Sequence, residues 1–170
     1  TVFDLCAAPG GKTAQLIAGG AVVTAIEKSS KRLDLLRQNL ERLGMLDQCR
    51  IIPADAETWG PPDLADIVLI DAPCTATGTL RRNPDIMIHR DQSDALRLSK
   101  IQAHLLDQAT TMIKADGQIV YAVCSLQRVE GEAQIDKFLK RFPDFQVKPI
   151  DPVIREALGP VIAPEGWIRA

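Results

Sequence analysis

Two cysteines stand where a thiol could act as a nucleophile. Cys74 lies in Asp71-Ala72-Pro73-Cys74, directly after an aliphatic run, and Cys124 lies in Ala122-Val123-Cys124-Ser125, at the end of another. A structural thiol more often sits mid-strand, whereas one at a strand's carboxyl end, beside a carboxylate or a loop, is placed for chemistry. Covalent catalysis is what a thiolate offers there. A third feature is the turn Leu5-Cys6-Ala7-Ala8-Pro9-Gly10-Gly11-Lys12-Thr13. Its small residues let backbone come close to a ligand, and the start of a helix adds free N–H groups and a positive dipole end.

Two nucleotide-binding readings compete for this turn. Gly11-Lys12-Thr13 looks like the end of a P-loop, with Asp71 as an acidic magnesium partner. That pattern requires glycine where Cys6 stands, and Pro9 removes an N–H from a loop whose task is to donate them. The other reading is an adenosyl cofactor. Glu27 ends the second apolar run, roughly twenty residues after the turn, where an acid can accept hydrogen bonds from both ribose hydroxyls. Asp55, in Pro53-Ala54-Asp55-Ala56, is placed to meet an adenine amino group. The plainer alternatives are a solvated strand end for Glu27 and a turn cap for Asp55.

The elements that must position these residues follow from the hydrophobic pattern. Short apolar runs alternate with helix-period segments to about residue 142, as in a parallel sheet covered by helices on both faces. Strands are predicted at Val2 to Leu5, Ala21 to Ile26, about Arg50 to Ile52, Ile67 to Ile70 and Ile119 to Val123. A helix carrying Leu16 and Ile17 stops at Gly19-Gly20. A second, capped by Ser29 or Ser30, shows Leu33, Leu36, Leu40 and Leu43 at helical spacing before Gly44. Asp94 is expected to open a long helix with Leu98, Ile101, Leu105 and Met112 on one face, ending at an Asp116-Gly117 turn. The last helix should run from about Glu130 to Arg141. Residues 72–93 form a polar connection with Pro73, Gly78, Pro84 and a basic cluster of Arg81, Arg82, His89 and Arg90, and long loops in α/β folds tend to be functional. Short strands are expected at Phe145 to Lys148 and Gly166 to Ala170. The whole is one α/β domain over residues 1–170.

Composition narrows the function classes. The 170 residues carry 20 basic and 22 acidic side chains, a formal charge of -2, so the broad positive field of a free-standing nucleic-acid binder is missing. A nucleic acid would have to be gripped locally. The longest aliphatic run, Ile67 to Ile70, falls far short of the roughly 18 residues of a membrane helix, and a soluble, cytoplasmic protein is expected. The four cysteines are scattered, with no C-x-x-C pair, and only two histidines accompany them. Neither a metal site nor a disulfide framework is suggested.

Three runs carry a resemblance: D-L-C-A-A-P-G-G-K-T (4–13), D-A-P-C-T-A-T-G-T-L-R-R-N-P-D (71–85), and V-C-S-L followed by V-E-G-E (123–132). They are similar to the successive motifs of the RNA cytosine-5 methyltransferases of the Sun/Nol1 family, most of all its bacterial Sun (Fmu) type acting on small-subunit ribosomal RNA. The resemblance implies a Rossmann-like class I methyltransferase fold, mostly parallel, with helices on both faces. It implies S-adenosylmethionine as methyl donor, held by Cys6, Ala7, Ala8, Pro9, Gly10, Gly11 and Lys12 together with Glu27, Asp55 and Asp71. Cys124 would be the nucleophile, and Cys74 would assist breakdown of the covalent adduct. Asp71 would hydrogen-bond the base at N3, and Lys12 would lie near the thiols. Arg81 and Arg82 would contact RNA phosphates or the target base.

The chemistry accounts for such a residue set. Cytosine C5 is a poor nucleophile, but thiolate addition at C6 makes it enamine-like and able to take a methyl from a sulfonium. A hydrogen bond at N3 stabilises the charge that develops, and a base must then remove the C5 proton. Members of the family normally carry further segments upstream and a final strand after the equivalent of Glu165-Gly166-Trp167. The chain is therefore expected to be a piece of a longer protein with a sheet incomplete at both ends, a monomer whose partner is RNA. Two other readings stay open: a P-loop-like NTPase, and a non-catalytic RNA-binding module that keeps the fold.

Overall fold

The computed structural model describes residues 1–89, 91–163 and 166–168. Five parallel strands form one sheet: β1 (Val2–Leu5), β2 (Val23–Glu27), β3 (Cys49–Pro53), β4 (Ala65–Asp71) and β5 (Ile113–Ala122), in the order β3-β2-β1-β4-β5. The register runs Leu5 against Ile26 on one side and against Ile70 on the other. β1 and β2 are buried along their whole length, as central parallel strands covered on both faces must be.

The covering helices follow the predicted periodicity. α1 (Gly11–Ala18) and α2 (Ser30–Arg42) lie on one face, where Ala14, Ile17, Leu33, Leu36 and Leu40 pack with Val23 and Ala25. Ser29 caps α2 by accepting the Arg32 N–H. On the other face α4 (Gln92–Thr110) and α5 (Glu132–Arg141) enclose Phe3, Leu5, Val68, Ile70, Leu105, Met112 and Phe138. This three-layer arrangement is the predicted one. It sets the site, because β1 lies between strands reached in opposite directions, and a crevice opens at the carboxyl edge between β1 and β4.

Several boundaries differ from expectation, each for a local reason. α4 starts earlier because Asp91, not Asp94, is its cap: Asp91 Oδ1 accepts the Ser93 and Asp94 N–H groups, and Asp94 reaches back to the Asp91 N–H. This is a reciprocal capping box. Asp116-Gly117 is no turn. It lies inside β5, where the register against β4 shifts between Ala65 and Ile67, so one strand absorbs extra residues as a bulge. β2 begins at Val23 rather than Ala21, and α5 at Glu132 rather than Glu130.

The connection 72–93 contains a 3-10 turn at 77–79 and the short helix α3 (Ile86–His89), while Arg90 of the basic cluster lies outside the described residues. No strand forms at Phe145 to Lys148. Phe145 instead joins the ring cluster of Phe138 and Phe142 at centroid distances of 5.3 and 6.3 Å. A helix not foreseen, α6 (Pro152–Leu158), follows, with Asp151 accepting the Val153 N–H and Pro152 in its first turn. The expected strand at Gly166 to Ala170 is reduced to one antiparallel bridge, Ile162 to Ile168; Arg169 and Ala170 lie outside the described residues.

Candidate active site at the carboxyl edge of the sheet

Parallel strands all end at one edge, so the turn after β1, Glu27, Asp55, Asp71, Cys74 and Cys124 converge there from five strands. The turn is shaped by backbone. Cys6 has φ 63° and Gly10 has φ 99°, the Ala8-Pro9 bond is cis, Ala7 N–H bonds the carbonyl of Ile26 at 3.1 Å, and Gly10 N–H bonds that of Ala7 at 2.8 Å. A side chain at Gly10 would meet Leu36 Cδ1 at 2.6 Å, which, with the left-handed φ, explains the glycine. α2 takes up the outward carbonyls: the Arg32 guanidinium donates to Ala8 O, and Asn39 Nδ2 donates to Pro9 O at 2.9 Å. What the turn leaves over are the orphan N–H groups at the start of α1, beside the open space around Gly11, where a Cβ would meet nothing within 4 Å.

Glu27 is not a solvated strand end. Its side chain is only 3% exposed, Oε1 accepts the Ser29 N–H at 2.9 Å, and Arg32 Nη1 stands 3.1 Å from Oε2 off the hydrogen-bonding direction, so Oε2 has an ion-pair neighbour but no donor. A buried acceptor without a donor is costly unless a ligand supplies one. Asp55 is a turn cap, the plainer of its two predicted characters. Oδ1 caps the Glu57 N–H and Oδ2 bonds Lys28 at 3.2 Å, and these partners, the Glu57 N–H first, hold its carboxyl below the ordinary value. Two carboxylates thus stand at the carboxyl edge of the sheet, one at the end of β2 and one beyond β3.

Across the crevice, Lys12 Nζ bonds Asp71 Oδ2 at 2.8 Å, tying the start of α1 to the end of β4. Beneath them Asp4, fully buried, accepts the Thr13 hydroxyl at 2.6 Å through Oδ2, while Oδ1 has no partner. Burial is the main cause that raises its pKa to about 6, with the Thr13 hydrogen bond and Lys12 opposing and Asp71 reinforcing. Asp4 has no predicted role, and its one local signal is an acid inside an otherwise apolar strand.

The two thiols at strand ends come together. Cys74 Sγ and Cys124 Sγ stand 3.4 Å apart, Cys74 half-buried and Cys124 exposed. Burial pushes the Cys74 thiol well above its ordinary value. The Cys6 thiol is raised likewise, to about 12, by burial and then by Glu27, and it is kept as a neutral packing group rather than a nucleophile. Gly78 N–H bonds Cys124 O at 3.0 Å, and Gly78 lines, with Thr79, Arg81 and Arg82, a hollow of about 470 Å³. The two arginines therefore open beside the thiol loop.

The comparisons with known proteins fit this geometry. The family described as 16S rRNA methyltransferase RsmB/F matches residues 1–159. The chain belongs to this family. It is 39% identical over 163 residues to the ribosomal RNA small subunit methyltransferase B of Xanthomonas campestris pv. campestris, covering 93% of the chain and 37% of that protein. It is 42% identical over 148 residues to the same-named protein of Salmonella arizonae, covering 84% of the chain and 34% of the relative. The chain thus spans about a third of the length of these RsmB/F relatives. Among solved structures, NSun6 from Pyrococcus horikoshii with SFG superposes with a TM-score of 0.74 at 30% identity, covering 83% of this chain and 37% of that one. A methyltransferase homolog protein from Pyrococcus horikoshii gives 0.73 at 35% identity, covering 88% and 47%. The P-loop reading gives way to the methyltransferase fold.

Proposed function

We propose that the chain is the catalytic part of an S-adenosylmethionine-dependent RNA methyltransferase that acts on C5 of a cytosine in small-subunit ribosomal RNA. The observation that carries the reading is the 3.4 Å approach of Cys74 and Cys124 beside Asp71 at the switch crevice. The thiols lie 50 residues apart in sequence and meet because they follow the paired ends of β4 and β5, Asp71 against Ala122.

The residues present fit the cofactor. The donorless oxygen of Glu27 suits a ribose hydroxyl, Asp55 suits an adenine amino group, and the space at Gly11 admits the amino-acid end. When bound, S-adenosylmethionine supplies an electrophilic methyl on a sulfonium. The chain's own residues do the rest. Cys124, exposed at the end of β5, adds through its sulfur to C6 of the base, and the electron pair displaced from the C5–C6 bond leaves C5 nucleophilic. Asp71, held by Lys12, faces N3 and passes to it the proton that the Cys124 thiol gives up, which neutralises the charge that develops there during that addition. After methylation C5 carries one proton too many. Cys74, kept beside Cys124, assists removal of that proton and the return of the C6–sulfur electron pair that frees Cys124. Arg81 and Arg82 contact RNA phosphates beside the hollow.

The test is a pair of variants with RNA substrate and cofactor, read on denaturing gels and by methyl transfer. Cys124→Ala forms no adduct and transfers no methyl, while its calorimetric affinity for S-adenosylhomocysteine is retained. Cys74→Ala accumulates a covalent protein–RNA adduct, because attack survives and release does not. Undiminished methyl transfer by Cys124→Ala would overturn the two-thiol mechanism, whereas a wild type that binds RNA and transfers no methyl would favour the non-catalytic module.

A further inference from the structure

Glu130 stands apart from the residues so far given a role. It lies just before α5, after Gly-free loop residues 125–129, and its side chain is fully buried. Four donors converge on its carboxylate. Oε1 accepts the Thr75 N–H at 3.0 Å and Gln102 Nε2 at 3.1 Å, and Oε2 accepts the hydroxyls of Thr75 and Ser125, each at 2.5 Å. The amide orientation of Gln102 is set independently, because Nε2 also donates to the carbonyl of Pro73 at 2.9 Å, which can only accept. Thr77 completes the count by accepting the Leu126 N–H and offering its own hydroxyl to Ser125 Oγ at 3.2 Å. Every hydrogen in the group then has one acceptor, and the carboxylate is the hub. Its backbone takes part as well, since Tyr121 donates its hydroxyl to Glu130 O at 2.6 Å.

What these partners have in common is their place in the chain. Pro73 and Thr75 flank Cys74, and Ser125 follows Cys124. One buried carboxylate therefore binds both thiol-bearing loops, and Gln102 fastens the pair to α4. We propose that Glu130 is a positioning residue that fixes the distance between Cys74 and Cys124, and so the timing of attack and release in the two-thiol reaction. The inference rests on the methyltransferase reading for its purpose, while the geometric claim can be tested without it. Buried hydrogen-bonded networks that are fully satisfied specify one arrangement, and losing a single acceptor leaves donors facing each other. Glu130→Gln keeps the volume and makes that change.

The test has two arms on the full chain. In the first, the free protein is treated with iodoacetamide and the peptides are read by mass spectrometry. With the sulfurs 3.4 Å apart, a carboxamidomethyl group on exposed Cys124 covers half-buried Cys74, so the wild type yields single alkylation within the pair. Glu130→Gln lets the loops part, and doubly alkylated protein appears. In the second arm, kcat for RNA methylation falls about 100-fold, as expected when reacting groups move by about 1 Å, while KM for S-adenosylmethionine stays within about twofold. Ser125→Ala, which removes one donor and leaves the carboxylate in place, gives the same changes in smaller degree and decides the matter if Glu130→Gln does not fold. Unchanged single alkylation in both variants, or free double alkylation in the wild type, overturns the positioning role. The expected alkylation pattern in a wild type that methylates no RNA would keep the positioning role and discard the methyltransferase reading.

Discussion

The carboxyl of Asp4 sits between β1 and α1 with one oxygen on the Thr13 hydroxyl and the other without a donor. Burial disfavours its charged form, and its folded pKa of about 6 lies above the unfolded value of 3.8. Between these values the folded protein binds more protons than the unfolded chain, so stability falls as pH rises from about 4 to 6 and then levels. The cost at neutral pH is of the order of 3 kcal/mol. Its return is that Thr13, and with it the first turn of α1, is anchored to the central strand directly below Lys12 and Asp71. Asp4→Asn has no such titration. Relative to wild type, its urea-unfolding free energy improves by roughly 3 kcal/mol between about pH 4 and pH 7; a difference that is flat with pH would show that Asp4 titrates normally.

At the scale of elements, the bulge in β5 lets an edge strand keep register with β4 while carrying Cys124 to the right edge. Gly117 makes it possible, because a Cβ there would lie 2.5 Å from Ile113 Cγ1 and 2.9 Å from Asp66 O. Gly117→Ala should destabilise the protein by about 1–3 kcal/mol, read as a lower Tm and as loss of the thiol contact in the alkylation assay. That bulge also marks where the sequence ceased to be legible. The five strands, the first two helices and the glycine turn could be read because each is announced by local signals: apolar runs, leucines at helical spacing, glycines at stops. Asp116-Gly117 carries the same letters as a turn, and only pairing with β4 decides otherwise. Asp91 and Asp94 are both competent caps, and the choice between them depends on where the connection from α3 delivers the chain. The proximity of Cys74 and Cys124 was expected only from their strand ends. The convergence on Glu130 was invisible, since its partners are spread over residues 75–125 and none is unusual in its own neighbourhood.

For the molecule as a whole, a charge of -2 leaves no general attraction for RNA. In the proposed reading, affinity comes from local clusters, of which Arg81 and Arg82 at the hollow beside Cys124 are the nearest to the proposed chemistry. If both touch phosphates of an unpaired strand, replacing the two with alanine flattens the dependence of log affinity on log salt by roughly 1.4, about 0.7 for each contact. An unchanged slope would place the arginines away from the backbone. Among the described residues no helix is long and apolar enough to cross a membrane. The thiol contact has a further consequence, in time rather than in space. It joins residues 50 apart in sequence, just past the ends of neighbouring strands whose connection holds α3 and all of α4. A chain being synthesised from its N-terminus completes Cys74 long before Cys124 exists, and closing so long a loop comes late in folding. The pair is assembled only once β5 has docked on β4, so until the sheet is finished each thiol is an isolated cysteine.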